Sequence, residues 1–382
     1  MSELGAILVG DRVASVAGDL GRVASGGVDA LIVGDLTNLR WLTGFTGSNG
    51  WAVVRPDELV LVTDGRYGEQ ADRQLAAAAA GAVVPYRIRV GTSGAELLDL
   101  LIDSTGDARR IGFESAHVVH RDFVTWTTRF GDGRELVPTV GVIERGRRTK
   151  SEEELARMER ACAIADQALA EVAATIRPGM TEVQVRDALE SRMRELGAAG
   201  PSYETIVATG PVNAPMPHHR PTGTPIEEGH TVIIDVGALV DGFHSDMTRT
   251  FVVGEPTELQ RDVYDVVLAA QRAGVAAVRA GVSTKELDDV CRRIITEAGY
   301  GPWFSHGTGH GVGLLIHEDP FVNSTGDAVL QVGDVVTVEP GVYRDDFGGV
   351  RVEDLVEVTS TGCRVLTRSP KDSPCLPSPP TT

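Results

Sequence analysis

Residues 176–197, IRPGMTEVQVRDALESRMRELG, return as VRAGVSTKELDDVCRRIITEAG at residues 278–299, a constant offset of 102 positions. Arg177, Gly179, Thr181, Gln184 and Gly197 correspond to Arg279, Gly281, Ser283, Glu286 and Gly299. Thr181 with Gln184, and Ser283 with Glu286, have the spacing in which each residue's side chain satisfies the other's backbone N–H. Both copies therefore predict a helix beginning at the same place. A strand pair follows each helix. Such a duplication predicts a pseudo-twofold α+β domain with a site where its halves join.

The first strand pair, HTVIIDVGALVDGFHSDMTRTFVV at 230–253, turns at Asp241-Gly242, a strong signal for a two-residue type I′ turn. That turn pairs Val240 with Phe243, sets Gly237 opposite Asp246 and sets Asp235 opposite Thr248. Asp235 and Asp246 become diagonal neighbours on one face. The second pair, VVTVEPGVYRDDFGGVRVEDLVEV at 335–358, carries Glu339 and Glu353. An odd-length loop centred on Asp346 would place them opposite each other, unless Gly348-Gly349 forms a bulge. Two carboxylates about 4 Å apart repel by roughly 4 kcal/mol at an effective dielectric near 20. A lone strand Asp is usually solvated or serves a turn, but two related hairpins with acidic pairs call for a polyvalent cation.

SHGTGHGVGLLIHED, residues 305–319, supplies an imidazole. Gly307, Gly309, Gly311 and Gly313 argue against a helical zinc site, because each costs about 1 kcal/mol in a helix relative to Ala. They suggest a strand whose backbone comes close to something. His310 is the leading ligand candidate, with His306 and His317 close behind it or facing substrate. Hard oxygen donors with one imidazole suit Mn, Fe, Co or Zn.

Ahead of the repeat, residues 1–147 alternate helical and strand patterns. Helical stretches near 11–24, 66–80, 94–104 and 119–130 are separated by DALIVGD, a hairpin at 51–64 turning at Pro56-Asp57, VVPYRIRV and RRIGFE. This predicts an α/β domain. The basic RGRRTK, 145–150, marks a boundary and reads as a solvated linker. Ser151 with Glu154 opens a helix running to about 176. The second domain extends over 148–369, and the Pro- and Ser-rich residues 370–382 read as a disordered tail. A formal charge of −18 excludes nucleic acid and anionic membrane as natural partners. No apolar run approaches the ~18 residues of a bilayer span. Cys162, Cys291, Cys363 and Cys375 are too dispersed for a disulfide framework or thiolate metal site. A cytoplasmic protein is the expectation.

The order Asp235, Asp246, His310, Glu339, Glu353 resembles the five-ligand dinuclear site of the pita-bread metallopeptidases of the M24 type. HGTGHGVGLLIHE, VEPGVY, GGVRVED and PHHRP are similar to the motifs of the proline peptidases within that group. NLRWLTGFTGSNG and TDGRYGEQA resemble the creatinase-like N-terminal domain that accompanies them. The resemblance implies an α/β creatinase-like domain followed by an α+β pita-bread catalytic domain. It also implies two divalent ions, manganese first, with cobalt, zinc and iron as alternatives. Asp235, Asp246 and Glu353 would hold one; Asp246, His310, Glu339 and Glu353 would hold the other, with a hydroxide between them. Glu339 would accept a proton as water attacks the carbonyl before proline. His218 and His317 would bind the substrate and tetrahedral intermediate beside His306, and Arg351 would orient the ligands from behind, unless it makes only a surface ion pair.

The implied activity is that of an Xaa-Pro aminopeptidase, in a homodimer, on peptides with proline second. Phe321, in HEDPF, stands near where dipeptidases of the family can carry a cation for a free carboxylate, and this favours longer peptides. His230, where relatives often have Asp, lies away from the ligands. The alternatives are an Xaa-Pro dipeptidase, a metal-free binding module and a creatinase-type amidinohydrolase; the five filled ligand positions argue against the last two.

Overall fold

The computed structural model describes residues 4–377, which fall into two compact units, the first ending at Arg147 and the second beginning at Arg148. In the first, six strands lie in the order Tyr86–Gly91, Leu59–Asp64, Gly50–Val54, Ala30–Val33, Arg110–Glu114, Glu135–Thr139. The predicted hairpin pairs Val54 with Leu59 across residues 55–58. Ala30–Val33 is buried throughout, and helices Gly94–Ser104 and His120–Phe130 place Leu97, Leu101, Trp126 and Phe130 in one core with Ile32, Val53, Val60 and Val62. The short helix Leu36–Thr43 has no counterpart in the sequence reading. Asp35 caps it by accepting from Asn38 N, and Gly44 ends it at φ 72°.

The basic segment corrects the expectation of a solvated linker. Val142–Arg148 is helical, and the buried Arg147 donates to Asn38 Oδ1 at 2.7 Å. Arg148 bonds both oxygens of the buried Asp334 at 2.9 and 2.6 Å. Lys150 Nζ reaches Glu318 at 2.7 Å with 1% of its side chain exposed. These three cations find partners far away in sequence, which a local charge run cannot reveal.

The second unit carries the duplication. Helices Glu182–Glu195 and Thr284–Glu297 start and stop at matching positions, each with a complete capping box. Gly179 and Gly281 stand at φ 90° and 89°, and Gly197 and Gly299 at 101° and 90°, a left-handed region that favours a residue without Cβ. Each copy closes its own core, around Leu189, Met193 and Val232 in the first and Leu287, Ile295 and Val336 in the second. The helix opened by Ser151 ends at Ala173, slightly short of expectation. Among the described residues no helix is long and apolar enough to cross a membrane.

The tail expected to be disordered is held in place as far as Leu376, which packs against the core of the first copy. Val252 N donates to Pro374 O at 2.7 Å, and Tyr264 OH to Lys371 O at 3.0 Å. Lys371 Nζ bonds Gln271 Oε1 at 2.8 Å and also the buried Asp354. A Pro-rich segment still has carbonyls to offer, and one buried ion pair fastens it. Residues 378–382 lie outside the described residues.

Candidate metal centre

Turn chemistry sets the register of both hairpins. Asp241 (φ 45°) and Gly242 (φ 74°) form the first turn; Val240 pairs with Phe243 and Asp235 with Thr248. Between these pairs Val236 N donates to Met247 O at 2.9 Å, so the register runs unbroken past Gly237 and Asp246. In the second hairpin Arg344 pairs with Gly348, Gly341 with Arg351 and Val338 with Asp354, which puts Glu339 opposite Glu353. Gly348 and Gly349 form no bulge. A Cβ on Gly349 would lie 2.4 Å from Ala214 O, so the glycine answers a close approach. The two halves join where Thr250 Oγ1 donates to Arg351 O at 2.8 Å and Glu353 N donates to Thr248 O at 3.2 Å.

The glycines around His310 have a similar cause. Gly309–Gly311 is a strand pressed between Glu318–Val322 and Val335–Val338. A Cβ on Gly309 would come 2.0 Å from Thr337 O, and one on Gly311 2.4 Å from Asp319 O. His310 Nδ1 donates to Gly311 O at 3.0 Å, leaving the Nε2 lone pair toward Glu339 Oε1 at 3.3 Å and Asp246 Oδ2 at 3.5 Å. That is the tautomer a metal-ligating imidazole requires.

Asp235, Asp246, His310, Glu339 and Glu353 line one cleft of about 540 Å³, together with His218, His306, His317 and Arg351. One ligand atom from each of Asp246, His310 and Glu353 lies within 4.8 Å of the others. Burial first, and then the charges of Asp235 and Glu339, push the Asp246 carboxyl well above the usual range. Burial and then Asp246 do the same to Glu353. Glu353 Oε2 accepts from Thr248 Oγ1 at 2.7 Å, while the buried Glu353 Oε1 has no hydrogen-bond partner. An orphaned carboxylate oxygen facing other carboxylates and an imidazole lone pair fits a divalent cation.

Four supporting residues escaped the sequence reading. Tyr203 OH contacts Asp235 and lies 2.6 Å from Asp246. The Tyr203 hydroxyl thus bridges the two carboxylates and opposes part of the rise that burial and the neighbouring charges impose on Asp246. Tyr343 OH takes a bond from Arg351 Nη1 at 2.7 Å and stands 3.0 Å from His306 Nε2. Thr248 and Thr337 donate to Glu353 and Glu339. Arg351 is 3% exposed, so it is no surface pair: Nη2 meets Asp235 Oδ2 at 2.6 Å and Nε meets Thr248 Oγ1 at 2.9 Å. Burial pushes the His306 pKa down. Burial and then His310, whose ring meets His317 edge-on at 4.4 Å, push down that of His317. Neutral imidazoles result at neutral pH.

The metal-free protein should lose stability as pH rises. Asp246 and Glu353 hold protons in the folded state at pH values where the unfolded chain, with carboxyl pKa values of about 4, has released them. The folded state therefore binds more protons, and this contribution, full below about pH 4, fades as pH climbs. Melting in EDTA from roughly pH 5 to 8 should show a falling Tm, and Mn²⁺ at about 1,000 times its Kd should add about 4 kcal/mol and flatten the slope. A chelated Tm that rises across this range would contradict the carboxylate cluster.

The model of metallopeptidase family M24 matches residues 156–360, and that of the creatinase/prolidase N-terminal domain matches residues 21–149. Over 355 residues the chain is 38% identical to the uncharacterized peptidase YqhT of Bacillus subtilis, spanning 91% of this chain and 95% of that protein. The solved Xaa-Pro dipeptidase from Bacillus anthracis shares 36% identity at a TM-score of 0.86, over 95% of this chain and 97% of its own. The X-Pro aminopeptidase from Thermotoga maritima shares 31% at a TM-score of 0.84, over 95% and 99%.

Proposed function

This chain belongs to metallopeptidase family M24, and from that premise we propose that it is a divalent-metal exopeptidase cleaving between an N-terminal residue and a following proline. The observation that carries the proposal is the gathering of four carboxylates and His310 in one cleft, with Glu353 Oε1 left unbonded. Asp235, Asp246 and Glu353 would hold one ion and Asp246, His310, Glu339 and Glu353 a second, with manganese preferred and cobalt, zinc or iron as substitutes. Bound there, such ions supply Lewis acidity and bring the pKa of water toward neutrality. Glu339 takes the proton of the attacking water. His218 and His317 donate hydrogen bonds to the substrate carbonyl and to the oxygen that gains charge. His306, tied to Tyr343, stands alongside, and Arg351 fixes Asp235.

Relatives named dipeptidase and aminopeptidase both match nearly the whole chain, so the preferred length is argued from the cleft. Its two lining cations are Arg351, engaged with Asp235, and Arg220, which is 84% exposed and 3.3 Å from Glu204. Phe321 is apolar and 46% exposed. With no enclosed Lys or Arg awaiting a terminal carboxylate among the described residues, the cleft favours peptides longer than two residues. Arg220 supports the second reading, an Xaa-Pro dipeptidase, because it could swing to that carboxylate. A cytoplasmic location, from composition, and a homodimer, from family resemblance alone, complete the proposal.

With Mn²⁺, kcat/KM for Ala-Pro-Ala should exceed that for Ala-Pro by about tenfold, the scale of one missing contact. The reverse order would reassign the enzyme as a dipeptidase. Hydrolysis of neither peptide with Mn²⁺, Co²⁺ or Zn²⁺ would refute the peptidase proposal itself.

A further inference from the structure

His218 lines the cleft, yet no described residue hydrogen-bonds its ring. Its placement must come from its neighbours. Pro217 O accepts from Arg351 Nη1 at 3.2 Å. His219, 7% exposed and also lining the cleft, donates Nε2–H to Glu182 Oε2 at 2.9 Å.

Glu182, at the first residue of helix Glu182–Glu195, is fully buried. Its Oε1 also accepts from Thr209 N at 2.8 Å and Asn213 Nδ2 at 3.0 Å. Its Oε2 accepts from Thr222 N and Thr222 Oγ1, both at 2.9 Å. Donors spread along residues 209–222 thus converge on one carboxylate that touches neither the cleft nor the candidate ligands. A carboxylate accepts at both oxygens, which no amide can do.

The other half of the duplication has a comparable arrangement at a different helix position. Asp288, fully buried in helix Thr284–Glu297, accepts from Thr308 N at 3.1 Å and Thr308 Oγ1 at 2.9 Å. Arg292, bonded to Asp288 at 2.7 and 2.9 Å, donates to His306 O at 2.8 Å. In each half a buried, helix-borne carboxylate thus bonds next to a cleft histidine: through His219, the neighbour of His218, in the first, and through Arg292, which meets the His306 carbonyl, in the second.

We infer that Glu182, acting through His219, is a positioning residue for His218. Its kinetic consequence rests on the peptidase proposal; its structural consequence does not. In the Mn²⁺-loaded enzyme, E182Q should lower kcat/KM for an Xaa-Pro peptide about 30-fold, since a misplacement near 1 Å can cost on the order of 10²-fold. H218A should lose a similar factor, and the double variant should lose little more than either single one, because both act through one imidazole. Multiplying losses would overturn the inference.

Should E182Q fail to fold, His219→Ala and His219→Gln serve instead. The first removes the donor and should lose about tenfold, while the second restores an N–H at the Nε2 position and most of the activity. In the metal-free protein, imidazole NMR follows His218 directly: its signals should shift in H219A and return in H219Q. Unchanged His218 signals in H219A overturn the inference whatever the activity. A wild type inert toward Xaa-Pro peptides defeats the functional proposal alone and leaves the NMR result to decide the positioning.

Discussion

Glu339→Gln is expected to lower kcat by about 10³-fold with little change in KM, within the range set by loss of a positioned proton acceptor. Glu339 N is tied to Thr308 O at 2.8 Å, and its Oε1 accepts from Thr337 Oγ1 at 3.1 Å. The carboxylate is thus held, yet its side chain is 17% exposed, against 13% for Asp235 and 6% for Asp246. Of these three it is the one most open to a water in the cleft. Glutamine keeps the shape but cannot take the proton.

The same change should act in the opposite direction on stability. Glu339 is among the charges that push Asp246 and Glu353 upward, so removing it relieves repulsion in the metal-free cluster. Chelated Glu339→Gln protein should melt slightly above chelated wild type, with a shallower decline toward high pH. Lost activity with retained stability separates missing chemistry from a damaged fold. A kcat within tenfold of wild type would remove Glu339 from proton transfer.

The parts of this site that were legible in the sequence are those fixed by local rules. Asp241-Gly242 permits one register, and that register carries Asp246 and Asp235 to the same face three and five pairs beyond Val240–Phe243 without any long-range information. The loop centred on Asp346 does the same for Glu339 and Glu353. The duplicated capping boxes announced both helices because they satisfy backbone groups within one turn. Tyr203 lacked any such signal: it sits between short strands, and its partners are 32 and 43 residues away. Lys150, Arg148 and Lys371 were misjudged for the same reason, since charge and proline content describe what a segment prefers alone and not which buried carboxylate awaits it.

Arg351→Met should destabilise the metal-free protein by about 3–5 kcal/mol, the usual cost of leaving a buried charge without its partner. The guanidinium is the cation that faces the carboxylate cluster directly. Its fork reaches Asp235, Thr248 and Tyr343 at once, and Pro217 O as well. Methionine fills the space but strands Asp235 beside like charges and removes the bond to Tyr343, which stands next to His306. Lysine keeps the charge without the planar fork and should recover only part of the loss. Urea titrations in EDTA would measure this, and the deficit should shrink toward low pH, where protonation of the cluster relieves the unpaired charge. A deficit below about 1 kcal/mol is what an exposed pair would give; it would mean that Asp235 finds another counter-charge, and that Arg351 is not what keeps the carboxylates of the cleft together.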